Sequence, residues 1–179
     1  MSFAGLPASA PFSVLMLGGA RSGKSAYGER LIEESGLRPV YLATAEARDE
    51  EMAARIAHHK ARREGWRTVE EPLDLTGALG TVKEGEAVLV DCLTLWLSNL
   101  MAADRDVEAE AAGLLRALPH CAGPAVFISN EVGLGIVPDN ALARRFRDEA
   151  GRLHQRIAAE ADAVIGMMAG LPMVFKAPR

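Results

Sequence analysis

The sequence has only two cysteines, Cys92 and Cys121, set far apart among 179 residues. They supply neither a disulfide framework nor the paired spacing of a zinc site, and they fit a reducing cytoplasm. A surplus of basic charge is missing too, since Lys and Arg number 20 against 24 Asp and Glu, for a net charge of −4. No global positive field draws such a chain to nucleic acid or to a membrane, so any basic site must be local. No apolar run approaches the roughly 20 residues that span a bilayer. The opening MSFAGLPASAPF lacks the charged first region of a secretion signal and reads as a disordered tail over 1–12. Internal repeats and low-complexity stretches are absent as well. What remains is an ordinary globular composition, 49% hydrophobic and 25% charged, in a length that suits one catalytic domain over 13–179.

Short apolar runs alternate with helical patterns. SVLMLGG (13–19), PVYLATA (39–45), AVLVDC (87–92), AVFISN (125–130) and DAVIGMM (162–168) read as buried strands, with PMVFK (172–176) as one more. Helices are expected near 24–35, 47–64, 93–103, 105–117 and 139–160. The mostly apolar LTLWLSNLM (93–101) suits a core position better than an interface. Alternating strands and helices imply an α/β fold with a mostly parallel sheet. In such sheets the site collects at the carboxyl ends of the strands, so the loops there come first.

The first such loop is GGARSGKS, comprising Gly18, Gly19, Ala20, Arg21, Ser22, Gly23, Lys24 and Ser25. It fits G-x-x-x-x-G-K-[ST], with an apolar run before it and a helix-forming stretch after it. Glycines let the main chain turn so that its N–H groups surround phosphate oxygens, and the helix N-terminus behind favours an anion. Lys24 would reach the β and γ phosphates, and the Ser25 hydroxyl would hold Mg²⁺. A second Mg²⁺ position needs an acid at the end of another strand, and VLVDC offers Asp91.

Two adjacent histidines follow in RIAHHKARREGW (55–66). At about 100° per residue, His59 falls on an apolar stripe with Met52 and Ile56, whereas His58 shares a polar face with Arg55 and Arg62. Neighbours pointing about 100° apart make a poor two-histidine metal site, which needs H-x-x-x-H. Two guanidiniums beside His58 could grip phosphates and would disfavour the imidazolium, leaving a nucleophilic ring. Spacing alone leaves open a second reading, a solvated helix face carrying an idle histidine.

Four segments carry a resemblance: GGARSGKS, YLATAEARDEEMAARIAHHKARREGWRTVEEP, VLVDCLTLWLSNL and NEVGLGIVPDNALARRFRDEAGRLHQRIAAEAD. Together they resemble the bifunctional adenosylcobinamide kinase / adenosylcobinamide-phosphate guanylyltransferase family of cobalamin biosynthesis, collinearly from about Val14 to Lys176. The resemblance implies a P-loop NTPase-like, RecA-like three-layer fold. It implies phosphorylation of adenosylcobinamide by ATP or GTP. Transfer of GMP from GTP then follows through a GMP–histidine intermediate, giving adenosylcobinamide-GDP and pyrophosphate.

By position in the family's motifs, His58 is the implied nucleophile and Gly18–Ser25 hold nucleotide phosphates. Thr44, Ala45 and Glu46 match a second nucleotide-contact segment, and His59, Lys60, Ala61 and Arg62 a third. Glu70 matches a further nucleotide contact, with Glu71 beside it as a one-residue ambiguity. Asp91 fills the acidic strand-end position. The resemblance also implies a homo-oligomer, a trimer.

NEVGLGIVPDN (130–140) follows a strand, so Asn130 and Glu131 are expected at the site edge, facing the corrinoid or the metal. Pro138 and Asp139 suggest the start of the next helix. Two other functions bound the reading. A plain P-loop small-molecule kinase would leave His58 without a task. A regulatory nucleotide-binding module would carry an N-K-x-D guanine reader, which the sequence lacks.

Overall fold

The computed structural model describes Phe3 and residues 5–7, 11–45 and 63–178. Seven strands form one sheet: β1 (Ser13–Gly18), β2 (Arg38–Ala43), β3 (Arg67–Glu70), β4 (Glu86–Asp91), β5 (Ala125–Asn130), β6 (Ala163–Met168) and β7 (Leu171–Lys176). Their order across the sheet is β3-β2-β4-β5-β1-β6-β7. All neighbours run parallel except the last pair, β6 and β7.

The five inner strands are apolar on both faces, which is why they read as continuous hydrophobic runs. On β1, Leu15 points into one core layer and Val14 and Met16 into the other. The same alternation recurs on β4, where Val88 and Val90 oppose Ala87 and Leu89. Helix α1 (Lys24–Glu34) covers one face with Leu31 and Ile32. The other face is covered by α2 (Leu75–Leu79), α3 (Leu93–Ala102), α4 (Val107–Ala117) and α5 (Ala141–Glu160). The apolar stretch 93–101 is core: Leu93, Trp96, Leu97 and Leu100 are fully buried. Helices on both faces of a mostly parallel sheet give the expected three layers.

Several boundaries depart from the sequence reading. The last long helix starts at Ala141, not 139, because the Asn140 side chain accepts from Ala143 N–H at 2.8 Å and caps it. Likewise Asp106 accepts from Glu108 N–H and Ala109 N–H, so α4 begins at Val107. β3 and α2 have no counterpart among the expected elements. The expected helix 47–64 lies outside the described residues up to 62. Phe3 and Leu6, from the stretch read as a disordered tail, lie partly buried against the α1-side core.

Candidate functional site

The carboxyl ends of β1, β5, β4 and β2 form one edge, and the P-loop sits on it. Gly18 closes β1 where no side chain fits: a Cβ there would stand 2.5 Å from Ser22 Oγ and 2.7 Å from the Met167 carbonyl. The chain then turns back on itself, with Ser22 N–H bonded to Gly19 O at 3.3 Å. Gly23 takes φ 93°, a left-handed value open to glycine, and hands the chain into α1. From the other side, Gly170 N–H holds the Ser22 carbonyl at 3.0 Å.

Lys24 opens α1 with its side chain folded back, Nζ donating to Gly19 O at 3.1 Å. Burial pulls its pKa below the ordinary lysine value, while the charge of Asp91 acts in the opposite sense. Asp91 ends β4, two strands from β1, with the end of β5 between them. The arrangement therefore brings a cation and an anion to the same edge of the sheet. The Ser25 hydroxyl, in the first turn of α1, and the Asp91 carboxylate are hard oxygen donors of the kind Mg²⁺ takes alongside phosphate oxygens, so this pair fits that ion.

Thr44 follows β2 and was expected to touch nucleotide. It is fully buried. Its hydroxyl donates to Cys92 O and accepts from Cys92 N–H, both at 2.8 Å. Its own N–H bonds to Asp91 O at 3.2 Å, and its carbonyl accepts from Asn99 Nδ2 at 2.8 Å. Thr44 thus clamps the end of β2 to the peptide that carries Asp91. Ala45, half-buried, follows it.

Cys92 Sγ lies 3.2 Å from Thr94 Oγ1, and burial raises the thiol pKa. Asn130 Nδ2 donates to the same Thr94 hydroxyl at 2.9 Å, which joins the end of β5 to this network. Asn99 was missed by sequence reasoning, and its one signal was a polar residue inside an apolar helical run. Nothing in the sequence pointed to the bond between Asn130 and Thr94.

Glu70 ends β3 beside Ala43 and is exposed at the same edge. Glu71 is committed elsewhere: its Oε1 accepts from Leu73 N–H at 3.0 Å and Asp74 N–H at 2.9 Å, holding the turn into α2. Glu46, Arg55, His58, His59, Lys60, Ala61 and Arg62 lie outside the described residues. Just after them in sequence, Arg63 Nε donates to Glu29 Oε1 on α1 at 2.8 Å while its guanidinium stacks 3.3 Å over the Tyr41 ring.

Comparison with known proteins decides among the readings of this edge. The model of a family described as cobinamide kinase / cobinamide phosphate guanyltransferase matches residues 14–175. The chain belongs to that family. Within the cobinamide kinase / guanyltransferase family, a bifunctional adenosylcobalamin biosynthesis protein CobP from Pseudomonas aeruginosa is 52% identical over 166 residues, covering 90% of this chain and 96% of its own. The protein named CobU from Escherichia coli is 39% identical over 180 residues, 91% of this chain and 99% of its own.

Among solved structures, the flagellar accessory protein FlaH from Methanocaldococcus jannaschii aligns with TM-score 0.55 at 12% identity, over 95% of this chain and 80% of its own. The RadB recombinase aligns with TM-score 0.51 at 15% identity, over 88% and 74%. At such low identity these two speak only to the fold, which is P-loop NTPase-like and RecA-like, as expected.

Proposed function

We propose that the protein, through one catalytic domain over 13–179, phosphorylates the aminopropanol hydroxyl of adenosylcobinamide with ATP or GTP. It then transfers GMP from GTP to the resulting phosphate, giving adenosylcobinamide-GDP and pyrophosphate. The observation that carries this reading is the P-loop itself. Buried Lys24 is folded onto Gly19 O and feels the charge of Asp91, in a chain of the cobinamide kinase / guanyltransferase family. The relatives' description as bifunctional supports two reactions at one site.

His58 is the proposed nucleophile. Its neutral ring attacks the α-phosphorus of GTP, the bond to the bridging oxygen breaks, and pyrophosphate leaves with the electron pair. A phosphate oxygen of the corrinoid then attacks the same phosphorus and displaces the histidine. Lys24, Arg55 and Arg62 stabilise charge on the transferring group. Ser25 and Asp91 would hold Mg²⁺, which would neutralise phosphate charge when bound.

The flanks of the segment support this assignment. The two residues that bracket 46–62 in sequence are Ala45, at the site edge, and Arg63, which rests on the P-loop helix through Glu29. Nucleotide contacts are assigned to Gly18–Ser25, Ala45, Glu46, His59, Lys60, Ala61, Arg62, Glu70 and Asp91, with Thr44 as the support beneath them. The commitment of Glu71 to its own turn favours Glu70.

The finer readings are a cytoplasmic protein and a homotrimer. No described helix is long and apolar enough to cross a membrane. Exposed Leu171, Met173 and Phe175 on edge strand β7 support a contact between subunits.

The deciding experiment is incubation with α-labelled GTP and Mg²⁺ without corrinoid. Acid-labile, base-stable label is expected on the wild type and on His59→Ala, and none on His58→Ala. A wild type that binds GTP yet takes no label would reduce the protein to a kinase or a nucleotide-binding module.

A further inference from the structure

The end of β5 opens between the P-loop of β1 and Asp91 of β4. Two polar residues stand there. Asn130 is engaged with Thr94. Glu131 is half-buried, and its main-chain N–H donates to Gly18 O at 3.0 Å, which pins it to the first residue of the P-loop. Its Oε1 accepts from Gly133 N–H, so the carboxylate is oriented by its own loop.

Beyond it the loop turns apolar and outward: Leu134 is 87% exposed, Ile136 97% and Val137 62%. A few residues further along the chain, exposed Leu142 lines a groove between α3 and α5 together with Met101 and Phe146. Large apolar side chains exposed together in one short loop mark a binding site. Here it is rooted on the nucleotide loop, so what it binds is presented to the phosphates.

We propose that this is the acceptor half of the kinase site. Glu131 takes the proton of the acceptor hydroxyl, and the loop Leu134–Val137 packs against the methyl-bearing face of the corrin macrocycle that carries this alcohol. The inference rests on the cobinamide reading above and names the residue that serves its first reaction. The hydroxyl oxygen bonds to the γ-phosphorus. The bond to the bridging oxygen breaks, and the nucleoside diphosphate leaves with the pair. The hydroxyl proton passes to Glu131 and from there to water.

Because the transition state is loose, a positioned weak base suffices. In the second reaction the acceptor is already a phosphate with no proton to surrender. Glu131 therefore has no part in it, and the two reactions of one P-loop differ in this carboxylate.

The test uses the full-length protein and its Glu131→Gln and Glu131→Asp variants in two assays. One follows phosphorylation of adenosylcobinamide by ATP; the other follows GMP transfer to adenosylcobinamide phosphate supplied ready-made. Glu131→Gln is expected to lower kcat of the first by about 10²–10⁴-fold with KM for ATP unmoved. Glu131→Asp should recover part of this, and GMP transfer should persist in both. An unchanged kinase rate, or an equal fall in both reactions, would overturn the assignment.

Ile136→Ser is expected to raise KM for both corrinoids with kcat kept. Unchanged KM together with a loss of oligomer mass would give the loop to a second copy of the chain and overturn its role here. Failure of the wild type to phosphorylate adenosylcobinamide, with ATP bound, would instead remove the cobinamide reading itself.

Discussion

Arg63 and Glu29 form an ion pair at 2.8 Å with side chains only 3% and 10% exposed, tying the chain after residues 46–62 to the P-loop helix. A buried pair of this kind is costly to break from one side, because the remaining charge loses a close, buried counter-charge. Arg63→Met should therefore destabilise the fold by about 3–5 kcal/mol. Arg63→Met combined with Glu29→Leu should cost clearly less than the two single changes summed. Urea unfolding of the three variants checks this. Strict additivity would mean that the pair does not act as a unit.

Gly18 and Gly19 are adjacent yet should respond differently to a methyl group. At Gly18 it would meet Ser22 Oγ at 2.5 Å and the Met167 carbonyl at 2.7 Å; at Gly19 nothing lies within 4 Å. Ser22 can rotate away, but the carbonyl belongs to β6 and cannot. Gly18→Ala should cost about 1–3 kcal/mol and weaken GTP binding. Gly19→Ala should leave stability without nucleotide within about 0.5 kcal/mol. Thermal unfolding and GTP titration distinguish them, and equal stabilities for the two variants would refute the steric account.

His154 lies buried on α5, its Nε2 2.7 Å from Ser129 Oγ, and burial lowers its pKa below the ordinary 6.5, with the charge of Glu131 opposing. Below about pH 6.5 the unfolded chain binds a proton here that the folded chain refuses. Stability should thus fall as pH drops from 6.5 toward the carboxylate range, and gain nothing from this residue above it. His154→Gln should flatten that decline. Glu86 acts lower down: its hydrogen bonds from Arg67 depress its pKa, so its contribution is lost only as pH falls below the ordinary 4.5. Unfolding measured across the range tests the separation, and parallel curves for wild type and His154→Gln would exclude His154 as the source.

The inner strands were legible because burial on both faces leaves an unbroken apolar run. β3 was not: Arg67–Glu70 is four residues long at a sheet edge and alternates half-buried with exposed, so no run forms. α2 spans five residues and contains Gly77, too short for a helical period to show. β7 was legible as a strand but not as an antiparallel, outward-facing one, since composition does not report direction.

The P-loop could be read because its chemistry is local in sequence. The clamp of Thr44, Cys92 and Asn99 could not, because it joins residues about fifty positions apart. Helix starts were misjudged by two residues for a related reason: a cap is fixed by the bond its side chain makes, and Asp139 and Asn140 are equally good candidates until that bond is seen.

The strand order has a dimensional consequence. Gly18, where the P-loop begins, and Asp91 end strands separated by one other, and neighbouring strands lie about 4.8 Å apart, so the root of the loop and the acid are held about 10 Å from each other. That width is a gauge cut by main-chain hydrogen bonds. Exchanging the loops changes what is gripped but not the span. Adding or removing one strand between them would put loop and acid out of register with any phosphate chain laid across that span, however faithfully each side chain was kept.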